Sequence, residues 1–341
     1  MTTRYGATRA EYETLLTDLG QPRYRAQQVF DGLFAQGRPL ESLTNVPRAL
    51  RAQLDEAMPL AFEVDAEQHA DRGTTTKWLW RAGDGEQVET VLMEYTSRAT
   101  VCVSSQAGCA MGCTFCATGQ AGFRRHLDVG EIVEQVLRAQ HGTEQRVSNV
   151  VFMGMGEPLA NVDPVLEACR RLHDDVGISA RHIVVSTVGV VPGMQRLTDF
   201  ELPVTLAVSL HSADDTRREK MVPLNRRYPI EEVLGAAREY ADRKGRRVTF
   251  EYACIDGVND SVTDAQQLGR RLKGLRGGAH VNLIPLNATS GYSGRASARL
   301  RIEAFAERLR EQGINVSIRR NRGTDIDAAC GQLRSRHQAV H

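Results

Sequence analysis

AGCAMGCTFCATG, residues 107–119, sets Cys109, Cys113 and Cys116 at C-x3-C-x2-C spacing directly after the short apolar run TVCVSS. Three thiols on one tight loop narrow the chemistry. A structural zinc ion takes four closed ligands, and no fourth Cys or His follows near enough to complete a ribbon or a finger. A 4Fe-4S cubane held by three thiolates leaves one iron open, and an open iron can bind a substrate or a cofactor. The loop therefore reads as a cluster loop with Cys109, Cys113 and Cys116 as ligands. A disulfide knot is the competing reading, and an odd count of seven cysteines in a chain of ordinary globular composition argues against it.

Outward from this loop, strand-like and helix-like segments alternate. TVCVSS, SNVVFMG, HIVVST, VTLAVSL, VTFEYACI, HVNLIPLN and NVSIRR are apolar runs of strand length. Between them lie amphipathic helices. One follows an Asp128…Glu131 capping box and lines up Val129, Ile132, Val133, Val136 and Leu137; one spans 229–244; one starts near Ser297. About six such units predict an α/β fold, a partial (β/α)6 barrel, with a small N-terminal helical accessory domain. An open doubly wound sheet is the alternative, but no G-x-G-x-x-G follows the first strand. The expected divisions are helical residues 1–60, a β-rich connecting segment 61–98, the barrel with its C-terminal loop at 99–335, and a tail at 336–341.

The formal charge is +1, from 43 basic and 42 acidic residues, and neither demands nor excludes a nucleic acid. No apolar run approaches the ~20 residues needed to span a bilayer, and the first segment carries charge from the start. A soluble, cytoplasmic chain without a membrane partner is expected.

Chemistry in β/α barrels collects beyond the carboxyl ends of the strands. GMGEP (residues 154–158) follows the second strand, Ser186 ends the third, Ser209, Leu210 and His211 end the fourth, DGVND follows the fifth and Asn287 ends the sixth. Backbone groups around Gly156 can face a small ligand, and Glu157 can accept from an ammonium. Read alone, Ser186 and Asn287 serve equally well as strand-end caps, and His211 as a structural histidine. Cys169 and Cys254 fall on apolar stripes and are expected in the core. Cys102, in the first barrel strand, and Cys330, in the loop RGTDIDAACGQL, do not fit that pattern.

The cluster loop, GMGEP, SLH, FEYACIDGVND and DIDAACGQL occur in one order across nearly the whole chain, and together the sequence resembles the RlmN/Cfr family of radical S-adenosylmethionine (SAM) RNA methyltransferases. The stretch YRAQQVFDGLFAQG…LTNVPRALR is similar to the accessory domain of the RlmN branch. The resemblance implies one 4Fe-4S cluster and two SAM molecules per turnover, as methyl donor and radical source. It implies methylation of adenine C2 in the peptidyl-transferase region of 23S rRNA, and of the adenine 3′ to the tRNA anticodon. Cys330 is then the methyl-carrying thiol, Cys102 the thiol that releases product through a Cys102–Cys330 disulfide, and Glu89 the proton acceptor at C2. Gly156, Glu157, Ser186, Ser209, Leu210, His211 and Asn287 become SAM contacts. The resemblance also implies a reducing partner such as flavodoxin or ferredoxin, and a monomer.

Three basic clusters are candidate phosphate contacts: Arg124-Arg125-His126, Arg217-Arg218 and Arg319-Arg320-Asn321-Arg322. Arg243-Lys244 and Arg246-Arg247 lie at a helix end, where they complement the helix dipole. Methylation at adenine C8 uses the same cysteines and stays open, as does a radical SAM enzyme with a non-RNA substrate.

Overall fold

The computed structural model describes residues 2–319 and 322–333. Helices α1 (Arg9–Asp18), α2 (Tyr24–Leu33) and α3 (Arg48–Ala57) come first. They pack through Tyr12, Leu16, Val29, Phe30, Leu33 and Leu50, with Phe30 stacked on Phe34 at 4.3 Å. This module is tied down by a buried cation. Arg171 donates to the carbonyls of Tyr5 (3.0 Å), Gly6 (2.9 Å) and Ala7 (2.7 Å). Those bonds satisfy a guanidinium that would be costly to bury alone.

A ten-stranded sheet forms the centre. Strands β1 (Phe62–Ala70), β2 (Thr75–Ala82) and β3 (Gln87–Tyr95) are antiparallel and join β4 (Arg98–Cys102) by a further antiparallel pairing. The 62–95 hairpins therefore extend the main sheet. Beyond β4 come a small hairpin, β5 (Gln106–Gly108) and β6 (Phe123–His126), with the short helix α4 (Ala117–Ala121) between them, and then α5 (Val129–His141). The chain continues through β7 (Val147–Phe152), α6 (Val162–Asp174), β8 (Ile183–Thr187), α7 (Val191–Asp199), β9 (Thr205–Ser209), α8 (Asp215–Met221) and α9 (Ile230–Lys244). It ends in β10 (Val248–Cys254), α10 (Val262–Leu272), β11 (Ala279–Pro285), α11 (Arg299–Arg310) and β12 (Asn315–Ile318).

Strands β4, β7, β8, β9, β10, β11 and β12 pair in that order, all parallel. Six helix-bearing crossovers connect them, as the alternation of apolar runs anticipates. Their near-continuous apolar composition fits strands covered on both faces. The Asp128–Glu131 capping box is present at the start of α5. Cys169 and Cys254 are fully buried. The helix expected near Ser297 begins at Arg299, after Ala298. Among the described residues no helix is long and apolar enough to cross a membrane.

Candidate active site

The cysteine loop begins where β5 and β6 cross closely. Gly108 has φ 72°, and a side chain there would collide with the Gly122 carbonyl, so the crossing needs glycine. Cys109 N–H donates to that carbonyl at 2.9 Å. Cys109 and Cys113 are buried, Cys116 is half-buried, and all three are free thiols. Burial pushes the Cys109 thiol up to about 12, and Cys113 is raised well above its ordinary value by burial and by the neighbouring Cys116 and Cys109 sulfurs.

Two buried thiols that resist ionisation, Cys109 and Cys113, with a third beside them, suit a cationic inorganic group that displaces their protons. Among the described residues no three His, Cys, Asp or Glu side chains converge on one metal ion. A cubane asks for something else, because each thiolate binds a different iron. The donor set fits the cluster.

Beside the loop lies a cavity of about 150 Å³ at the carboxyl ends of the strands. Cys113, Cys116, Gly156, Glu157, Ser186, Ser209, His211 and Asn287 line it. Gly156 has φ 102°, and a Cβ there would stand 2.6 Å from Gln106 Cβ. The GMGEP turn therefore lies directly against β5. Glu157 is buried; its carboxylate accepts from the N–H of Val188 (2.9 Å) and Leu159 (3.0 Å), and burial pushes it up to about 7. Ser186 and Ser209 hydroxyls stand 3.4 Å apart.

His211 has a left-handed backbone, φ 60°, unusual outside glycine. Its Nδ1 accepts from Ala253 N–H at 3.1 Å and its carbonyl accepts from Asn259 Nδ2 at 2.8 Å. Burial and the Arg218 cation push its pKa down to about 3, so the ring stays neutral with Nε2 as the remaining donor. Leu210 is different: its side chain is fully buried, its N–H donates to Glu251 O at 3.0 Å, and its carbonyl accepts from Arg218 Nε at 2.9 Å. It does not line the cavity.

Cys330 reaches the same cavity from the other end of the chain. Its loop is pinned across the strand ends by Ala117 N–H to Gly331 O (2.7 Å) and Asn287 Nδ2 to Cys330 O (2.9 Å). Cys330 is exposed as a residue, but its sulfur is turned inward and enclosed at the cavity wall. A smaller adjoining cavity has both Cys102 and Cys330 in its lining. Burial pushes Cys102 up to about 12. Glu89 on β3 is not among the residues around either cavity; it is buried in an ion pair with Lys77 at 3.0 Å.

Several basic residues expected at phosphates are used inside the protein. Arg218 is fully buried and bonds the carbonyl of Leu210, Asn225 Oδ1 (2.7 Å) and the carbonyl of Val188, so it braces the turn after β9. Arg217 pairs with Asp264, and Arg125 with Asp84 and with Glu131 (2.7 Å). Arg322 donates to Glu94 O at 2.8 Å. Arg319 turns inward to Cys330 and Glu251. Arg124 and His126 remain exposed, while Arg320 and Asn321 lie outside the described residues. Gln106 and Glu251 carry structure at the site that the sequence reading passed over. Glu251 had a visible signal, a charge inside the otherwise apolar strand VTFEYACI.

Residues 103–268 match the radical SAM superfamily. Relatives named as probable dual-specificity RNA methyltransferases RlmN align over nearly the whole chain. That of Frankia alni is 51% identical, covering 96% of this chain and 81% of the relative. That of Symbiobacterium thermophilum is 47% identical, covering 98% and 92%. The crystal structure of a radical SAM methyltransferase from Sphaerobacter thermophilus matches with a TM-score of 0.92 at 46% identity, over 98% of this chain and 100% of that one. With about half of its residues identical to these relatives over nearly its whole length, this chain belongs to the RlmN family of radical SAM RNA methyltransferases.

Proposed function

We propose that the enzyme methylates C2 of adenine in the peptidyl-transferase region of 23S rRNA and of the adenine 3′ to the tRNA anticodon, with Cys330 carrying the methyl group. The observation that carries this reading is the meeting of Cys102 and Cys330 at one small cavity beside the cysteine loop. A methyltransferase acting on a nucleophilic atom needs no such pair. Adenine C2 is electrophilic, so the one-carbon unit must first be held by the protein and later released.

When bound, the iron–sulfur cluster and SAM supply the methyl group and a hydrogen-abstracting radical, with the electron drawn from a flavodoxin or ferredoxin. Cys109, Cys113 and Cys116 would hold the cluster. Gly156, Glu157, Ser186, Ser209, His211 and Asn287 would orient SAM, and Leu210 would serve only as the packed base of the turn behind them. Asn287 also fixes the Cys330 carbonyl, which joins the placement of the sulfur to that of the cofactor. Cys102, as thiolate, would free the product by attacking the Cys330 sulfur: the S–S bond forms as the sulfur–carbon bond to the RNA breaks, the carbon leaves with the electron pair and takes a proton to become the methyl group, and an external dithiol then reduces the disulfide. Glu89 would take the C2 proton, leaving its Lys77 pairing to do so. Among the described residues of the three basic clusters, exposed Arg124, and His126 whose Nδ1 meets Gln106 at 3.0 Å, would face RNA phosphates.

The test is mass spectrometry of 23S rRNA and tRNA from a strain lacking the protein. Loss of 2-methyladenosine from both RNAs is expected, restored by the wild-type chain. Loss of an 8-methyl group, or no change in RNA, sinks the reading.

A further inference from the structure

One guanidinium nitrogen stands between the methyl-carrying sulfur and a buried acid. Arg319 Nη1 lies 3.8 Å from Cys330 Sγ and 4.0 Å from Glu251 Oε2. Glu251 projects from the middle of β10, is 3% exposed, and shares the lining of the large cavity with Cys330. Its register partner on β11 is Asn282, whose Nδ2 donates to Oε1 at 2.8 Å. Asn282 is held in turn by His280 Nε2 (3.0 Å) and the Ser317 hydroxyl. Oε2, by contrast, is enclosed without a hydrogen-bond partner. The carboxylate is thus rigidly placed, with one oxygen left for the cation that also meets the sulfur.

We propose that Arg319 is the catalytic cation that makes Cys330 a nucleophile, and that Glu251 is a positioning residue that aims Arg319 and competes with the sulfur for its charge. This rests on Cys330 being the methyl acceptor. A thiolate, not a thiol, is the nucleophile. Burial raises the Cys330 thiol, Arg319 opposes that rise, and Glu251 and Cys116 add to it. Cys102 also faces this sulfur; burial holds its thiol high and Arg319 opposes that rise too, so the one cation acts on both thiols in the same direction. Arg319 stays charged throughout, and its planar fork can face a sulfur and a carboxylate at once. Ionisation is the sole step assigned: the Cys330 proton leaves to solvent and the charge remains on Sγ beside Nη1.

The experiment follows iodoacetamide alkylation of Cys330, by mass spectrometry of its peptide, from about pH 6 to about pH 12 in anaerobically reconstituted protein. Arg319→Gln should move the midpoint up by about one pH unit or more, with roughly tenfold slower alkylation near neutrality. Arg319→Lys should fall between it and the wild type. Glu251→Gln should move the midpoint down and speed alkylation. Loosened packing would shift both neutral variants the same way, so opposite signs carry the assignment. An unmoved Arg319→Gln midpoint, or equal signs, overturns it. If Arg319→Gln does not fold, Glu251→Gln decides alone, and a midpoint that is unchanged or raised overturns the pair. Weighing the wild-type Cys330 peptide after incubation with SAM tests methyl acceptance separately. Methylation with unshifted variants removes this inference and spares the proposed function; shifted variants without methylation do the reverse.

Discussion

At the scale of single residues, the cavity proposed for the cofactor is lined by polar groups whose partners are already chosen. Glu157 is the clearest case, since its buried carboxylate already takes two backbone N–H bonds. Glu157→Gln keeps the shape and loses the negative charge, leaving an amide opposite donors. SAM binding should weaken by at least roughly tenfold, with iron content unchanged. Equilibrium dialysis with radiolabelled SAM beside an iron assay reads both quantities, and unchanged affinity removes Glu157 from the cofactor's amino end. His211 makes a pH prediction. Its folded pKa, about 3, lies below its ordinary 6.5, so the unfolded chain binds the extra proton between those values. Stability is therefore full above pH 6.5 and falls as the pH drops toward 3, by about 1.4 kcal/mol per pH unit for this one group. His211→Asn keeps an acceptor for Ala253 N–H and tolerates the left-handed backbone. Denaturant titrations at about pH 6 and about pH 4 should show a shallower acid loss in the variant; equal slopes sink the assignment.

At the scale of elements, the cysteine loop acts as one unit because both its flanks are fixed. The β5–β6 hairpin anchors its start, and α4 is pinned to the Cys330 loop through Ala117 N–H and Gly331 O. Replacing any one of Cys109, Cys113 or Cys116 with Ala should remove the cluster and abolish SAM cleavage. Absorbance of the reconstituted protein and release of 5′-deoxyadenosine are the measurements. Normal release from any of the three variants contradicts the ligand assignment. The turn after β9 is held in a comparable way by Arg218, which replaces solvent for four surrounding acceptors, the carbonyls of Leu210, Ser209 and Val188 and the Asn225 amide oxygen. Nothing in SLHSADDTRREK separates that inward arginine from its neighbour Arg217. On a helix as short as α8, one residue of rotation decides which side chain meets the strand ends.

At the scale of the whole molecule, the candidate active site joins residues far apart in sequence. Cys102 sits at the end of the first parallel strand and Cys330 beyond the last one, and the curl of the sheet brings both to one cavity. The order of events in the proposed cycle separates them. Cys330→Ala has no sulfur to carry the methyl group and should neither become methylated nor crosslink to RNA. Cys102→Ala should still be methylated and should still add to adenine, but it lacks the thiol that releases the adduct. It should accumulate covalently bound to RNA. Denatured protein is compared for retained RNA before and after nuclease. Normal turnover by Cys102→Ala, or equal trapping by Cys330→Ala, overturns the roles while leaving the fold intact.

Local pattern was enough for much of this. The C-x3-C-x2-C loop, the seven apolar strand runs and the capped helix after Asp128 are short-range features, and period and spacing reveal them because they depend on neighbours within one element. Cys330, which fell on no core stripe, lies exposed at the cavity, whereas Cys102, set apart with it on the same ground, is buried among core residues while lining the small cavity. Direction was not legible. A run such as Arg319-Arg320-Asn321-Arg322 states that charge is present, while tertiary packing turned Arg319 into the barrel toward Cys330 and tied Arg322 to Glu94. Glu89 had the same ambiguity until Lys77 on the adjoining strand closed on it. Sequence specified which groups could ionise, bind or react. Only the folded sheet, by setting which cation meets which anion and which side chains lose water, decided which of them do so together.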